Sequence, residues 1–157
     1  MHYPVSMEFL APYMPYTAFL ISVFSALRLA KFNNDTRQTS SFIGVPVPAN
    51  ALFLGSLPLM KMQAEYGDSL SWIQSITGNY YVLAVIAIGM SLLLVSEIPL
   101  ISLKLKNFRF AENKPQFILV AFGIVSFALL TFTAIPLIIL AYILLSLIFK
   151  PQAELQK

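Results

Sequence analysis

Two cations and an asparagine close the first apolar stretch of this chain, in Arg28-Leu-Ala-Lys-Phe-Asn33, and Asn34, Asp35 and Arg37 follow directly. An arginine fork grips two oxygens of a phosphate or carboxylate at once, while a lysine supplies a mobile point charge. Three residues apart on a helix, Arg28 and Lys31 share a face, so the pair suits a diphosphate or a carboxylate in the headgroup layer. The same cations could equally end a helix, snorkel to lipid phosphates and set orientation. Asn33, Asn34, Asp35 and Arg37 make a polar turn that reads either as a binding loop or as a solvated connector. Next comes Gly44-Val-Pro-Val-Pro-Ala-Asn50, where two prolines and a glycine stiffen a loop. That segment either lines a ligand pocket with preorganised backbone groups or forms a rigid start to a helix. Glu97, at a depth similar to Arg28 on a later apolar run, either pairs with it across a bundle or borders the same aqueous cavity. The expectation to test is that Arg28 and Lys31 project together into a wet crevice.

Composition decides what must position these residues. With 58% hydrophobic and 11% charged residues, 13 phenylalanines and a mean hydropathy of +0.77, the chain lies outside the soluble globular range. An all-α, polytopic transmembrane helix bundle of about five spans is expected, forming one membrane domain over residues 1–157. The runs Phe9 to Ala30 and Tyr80 to Leu103 each reach the ~20 residues that cross a bilayer. Pro48 to Lys61 is shorter and reads as a buried span or a re-entrant segment; Ala49, Ala51, Gly55 and Ser56 would let neighbouring backbones approach. Gln116 to Phe149 is 34 apolar residues, about 50 Å as one helix, so it should fold back as a hairpin, with the break at Thr131-Phe-Thr-Ala-Ile-Pro136. On the first helix, Ala18, Ser22 and Ser25 would form a small, polar stripe leading to Arg28.

Lysine and arginine mark cytoplasmic loops. Arg28, Lys31 and Arg37 follow the first span, Lys104, Lys106, Arg109 and Lys114 the third, and Lys150 and Lys157 the last. The connection from Met62 to Asn79 carries Glu65, Asp68 and Trp72 without a cation and belongs outside. The amino terminus is then outside and the carboxyl terminus cytoplasmic. No basic region precedes the first apolar run, so a cleavable leader is not expected.

Several chemistries are excluded. Without cysteine there are no disulfides, thiolate zinc sites or thiol nucleophiles, and with His2 as the single histidine a Ser-His-Asp arrangement is not expected. No phosphate-loop pattern or internal repeat stands out, and a net charge of +3 reflects loop lysines, so nucleic acid is not an expected partner.

In their order, Arg28-Leu-Ala-Lys-Phe-Asn33 at the end of a span and Phe42-Ile-Gly-Val-Pro-Val-Pro-Ala49 opening the next resemble bacterial phosphatidylserine synthases of the CDP-alcohol phosphatidyltransferase family. Leu94-Val-Ser-Glu-Ile-Pro-Leu-Ile-Ser-Leu-Lys104 resembles the family's next span more loosely. The resemblance covers most of the chain and corresponds to the carboxyl-terminal part of such an enzyme. It implies transfer of a phosphatidyl group from CDP-diacylglycerol to L-serine in the bacterial inner membrane, by a homodimer, with release of CMP. In that setting Arg28 and Lys31 would hold anionic groups of the donor or the serine carboxylate. Asn33 and Arg37 would shape the serine end, and Pro46, Pro48 and Asn50 would form the pocket wall, with Glu97 bordering it. The family uses a divalent metal, Mg or Mn, held by an Asp-Gly-x-x-Ala-Arg signature and two further aspartates. This chain lacks that signature. Its two aspartates, Asp35 and Asp68, are expected on opposite sides of the membrane, so no catalytic or metal-binding residue is assigned, and the chain reads as a truncated enzyme. A non-catalytic membrane subunit, a degenerate family relative or a small membrane carrier component are the alternatives.

Overall fold

The computed structural model describes residues 10–34, 42–66, 71–101, 103 and 113–149. Its described residues are almost entirely helical. A 3-10 helix, Ala11–Thr17, leads into α1, Ala18–Asn34. A two-residue strand β1, Phe42–Ile43, precedes α2, Val47–Tyr66. The short α3, Ser71–Thr77, precedes α4, Tyr80–Val95, and β2 is Pro99–Leu100. Helix α5, Lys114–Leu130, is joined to α6, Ala134–Ile148, by a 3-10 turn at Thr131–Thr133.

Local chemistry sets these boundaries. Pro48 lies in the first turn of α2, where its missing N–H costs nothing. The Asn79 side chain caps α4 by accepting hydrogen bonds from the Tyr81 and Val82 amides at 3.0 and 3.4 Å. Pro99 ends what hydropathy alone would continue to Leu103. Helix α4 stops at Val95, Ser96 is extended, and the chain enters β2, which pairs antiparallel with β1 through Phe42 opposite Leu100 and Ile43 opposite Pro99. Because buried irregular backbone needs partners, α6 supplies them: the Tyr142 hydroxyl donates to the Ile101 carbonyl at 2.8 Å, and the Ile101 amide donates to Ser146 Oγ at 3.2 Å.

Two apolar helical stretches, Pro12–Asn34 and Lys114–Ile148, are long enough to cross a membrane. The second reverses. Helices α5 and α6 pack on one another, and a Cβ built on Gly123 would lie 3.6 Å from Ile138 Cδ1. At the reversal Thr131 takes φ 47°, an uncommon conformation for a β-branched residue. The Gln63 side chain of α2 clasps the turn, donating to the Leu130 carbonyl at 3.0 Å and accepting from the Thr133 amide at 3.3 Å.

The core forms where α2, α4, β2 and α6 meet, around Val45, Phe53, Met90, Leu100, Ile139 and Ile143. A second cluster of Leu57, Met60, Ala64 and Ile73 ties α3 to α2. Helix α1 stands apart from both and packs chiefly on α4.

Three further expectations are corrected. Helix α2 runs to Tyr66 rather than Lys61, about 30 Å of rise, since the polar Lys61 and Glu65 lie on exposed positions and do not interrupt it. Gly55 faces open space, with nothing within 4 Å of a built Cβ, so close helix approach occurs at Ser56 instead, which is buried. On α1 the inward face is Ile21, Phe24, Ser25, Arg28 and Lys31, whereas Ala18 and Ser22 are exposed. Bulk, not smallness, makes the α1–α4 contact.

Candidate functional site

The residues of interest gather where the last turns of α1 meet the segment joining β1 to α2. Gly44 makes this possible. Its φ is +73°, and a Cβ there would lie 2.6 Å from the Leu94 carbonyl and 2.7 Å from the Ser96 carbonyl, so only glycine lets the segment press onto the end of α4. The contact is fastened by the Gly44 amide donating to the Ile98 carbonyl at 2.8 Å and the Val45 amide donating to Leu93 at 3.0 Å.

Pressing the segment down turns the Gly44 and Val45 carbonyls toward α1, and Arg28 meets them. Its Nε donates to the Val45 carbonyl and its Nη2 to the Gly44 carbonyl, both at 3.3 Å. Phe32, one turn on, brings its ring centroid within 5.8 Å of the guanidinium carbon, a cation–π distance. Arg28 is 4% exposed, the one buried residue of α1. It therefore does not project into a water-filled crevice, which corrects the expectation from sequence. Among the described residues Nη1 is buried without a hydrogen-bond partner, and no carboxylate balances the charge. The described contacts of this guanidinium are thus two backbone carbonyls and an aromatic ring.

Lys31 takes a different course. Its Nζ donates to the Val95 carbonyl at 3.3 Å and pairs with Glu97 Oε1 at 3.2 Å. Glu97 thus pairs with Lys31, not with Arg28. With side-chain exposures of 34% and 73%, this is a surface pair worth about 0–1 kcal/mol.

The remaining candidates divide. Asn50 is buried in the first turns of α2, its amide donates to the Pro46 carbonyl at 3.0 Å, and among the described residues its Oδ1 has no partner. Pro46 is half-buried and Pro48 exposed, so Pro48 starts a helix instead of walling a pocket. Asn33 is exposed on the last turn of α1. Arg37, Asp35 and Asp68 lie outside the described residues. Among the described residues no three histidine or carboxylate groups come together to hold a metal ion.

Sequence reading did not find that the partners of this site are backbone carbonyls. The available signal was Ile98-Pro99: a residue before proline is biased to extended backbone, which frees carbonyls at the end of α4 to be used by other segments. Compared with known families, curated proteins and solved structures, the chain gives no match.

Proposed function

We propose that this chain is the carboxyl-terminal membrane part of a phosphatidylserine synthase of the CDP-alcohol phosphatidyltransferase type. The reaction joins the serine hydroxyl oxygen to the phosphatidyl phosphorus and breaks the bond from that phosphorus to the CMP oxygen, and the hydroxyl proton passes to a base. Both the base and the divalent metal belong to the aspartate signature, which this chain lacks. In this reading α1, α2, α4, α5 and α6 are the five spans, with the amino terminus outside and α3 lying along the outer interface. Helices α5 and α6, at 17 and 15 residues, rise about 26 and 23 Å, so the bilayer thins around them.

One observation carries the proposal. The two sequence elements that resemble the family, sixteen and seventeen residues apart at their closest bonded positions, meet through Arg28 and the Gly44 and Val45 carbonyls. Among the described residues the meeting leaves one guanidinium nitrogen buried without a hydrogen-bond partner. In this reading an anionic oxygen of the serine carboxylate or the donor phosphate supplies what Nη1 lacks. Lys31 and Glu97 form the rim.

The test is CMP release from CDP-diacylglycerol by membranes expressing this chain with its in-frame upstream coding sequence. Release is expected to require L-serine and Mg or Mn, and Arg28→Lys is expected to lower it about tenfold or more, because an ammonium cannot reproduce the fork. An upstream sequence without an aspartate signature, or CMP release indifferent to serine, would overturn the proposal.

A further inference from the structure

Helices α5 and α6, with Leu103, border a groove of about 540 Å³. Its lining is hydrocarbon except at one end, where Gln116 stands. The floor is Gly123 against Ile138, and the rims are Val120, Ile124 and Leu103, exposed by 59%, 67% and 57%. From Gln116 to Ile124 the helix rises about 12 Å. A slot of this volume, apolar along its length and polar at one end, has the proportions of a site for an amphiphile.

Three features select the occupant. The groove belongs to Lys114–Ile148, the most apolar stretch long enough to cross a membrane, and its rims are exposed, so whatever fills it arrives sideways from hydrocarbon. Lys114, exposed at the start of α5, stands within one turn of Gln116 and Phe117 at the polar end. The chain as a whole carries a net charge of +3. A cation within one turn of the polar end of an apolar slot is complementary to a lipid whose headgroup is negative. We infer that the groove is a binding site for one acyl chain of an anionic phospholipid, with its ester region at Gln116 and its phosphate beside Lys114. The site is separate from the Arg28 cluster and does not depend on the transferase reading.

Gly123 supplies the experimental handle, because a side chain there enters the groove without striking backbone. An alanine would sit at ordinary contact distance from Ile138, whereas phenylalanine would fill the slot. The whole chain is placed in phosphatidylcholine nanodiscs containing trace phosphatidylglycerol with a diazirine on one acyl chain, irradiated, and its adducts mapped. Adducts are expected to concentrate on Leu103, Val120 and Ile124 over Leu129 and Leu144, which are comparably exposed at 76% and 59% but lie outside the groove. Gly123→Phe should remove the concentration and Gly123→Ala keep it. Ile124→Trp, which narrows the rim, serves if the phenylalanine variant does not fold. The same diazirine on phosphatidylcholine should label the groove about fivefold less, and Lys114→Gln should erase that difference. Adducts spread evenly over all the exposed residues would overturn the inference, as would equal labelling by the two lipids in the wild-type chain.

Discussion

Replacing Arg28 with methionine separates an anion site from a structural staple. Methionine keeps much of the aliphatic volume and removes the charge and the donors. What is lost are two hydrogen bonds at 3.3 Å, longer than the ~2.8 Å of strong charge-assisted bonds, so about 1–2 kcal/mol each. What is relieved is a buried cation with no carboxylate beside it among the described residues, whose desolvation costs several kcal/mol. The two opposing effects are of similar size, and Arg28→Met is expected to change the stability of the unliganded chain by less than about 2 kcal/mol in either direction. Ligand binding should respond quite differently. At a hundred times its Kd a ligand of the folded state adds about 2.7 kcal/mol, and the variant should lose all of it. The assay is reversible unfolding in mixed detergent micelles, with and without L-serine or a CDP-diacylglycerol micelle component. A fall of more than about 4 kcal/mol without ligand, together with a ligand increment equal to that of the wild type, would show that Arg28 is only a staple and refute the argument.

Three further outcomes follow from the same geometry. Gly44→Ala forces a Cβ against two backbone carbonyls at 2.6 and 2.7 Å in a left-handed conformation and should cost more than about 3 kcal/mol, read by the same unfolding assay; a neutral result would mean that the segment does not press on α4. Gln63→Leu strips the Thr131 reversal of its clasp, leaving the Leu130 carbonyl and the buried Thr133 amide without the bonds they make to it. A loss of about 1–3 kcal/mol is expected, with faster hydrogen exchange at Thr133, and unchanged exchange there would refute the clasp. Trp72 is the one tryptophan in the chain and is 48% exposed on α3; if α3 lies along an interface, its fluorescence should be quenched more by lipids brominated near the carbonyls than by lipids brominated at the chain ends.

How far the chain could be read in advance depended on which kind of physics set each feature. The helical class followed from composition, because apolar runs in hydrocarbon must satisfy their own backbone groups. The reversal between α5 and α6 was legible because 34 apolar residues outrun any single crossing. The end of α4 was misread, since hydropathy continues smoothly through Ile98 and Leu100 while Pro99 changes the backbone. Gly55 and the Ala18–Ser22 stripe were misread for another reason. A small residue permits close approach but does not say which helix arrives, and that depends on a topology no local pattern encodes.

The site was legible by residue and illegible by partner. Arg28 stood out because its charge ends an apolar run, and charge alone suggested water. The fold puts carbonyls where water was expected, and those carbonyls face Arg28 because Gly44 lets a loop descend on the end of α4 while Pro99 keeps that end from continuing as helix. Each of these residues acts on the backbone, and only the sum reaches the guanidinium. The arrangement also explains why α1 needs the contact. No other residue of α1 is buried, and between helices in a bilayer there is no hydrophobic drive to hold them together. Helix α1 packs chiefly on α4, and the Arg28 bonds tie its last turns to Gly44 and Val45. In the proposed reading, an anion bound at Arg28 therefore couples occupancy of the site to the seating of α1.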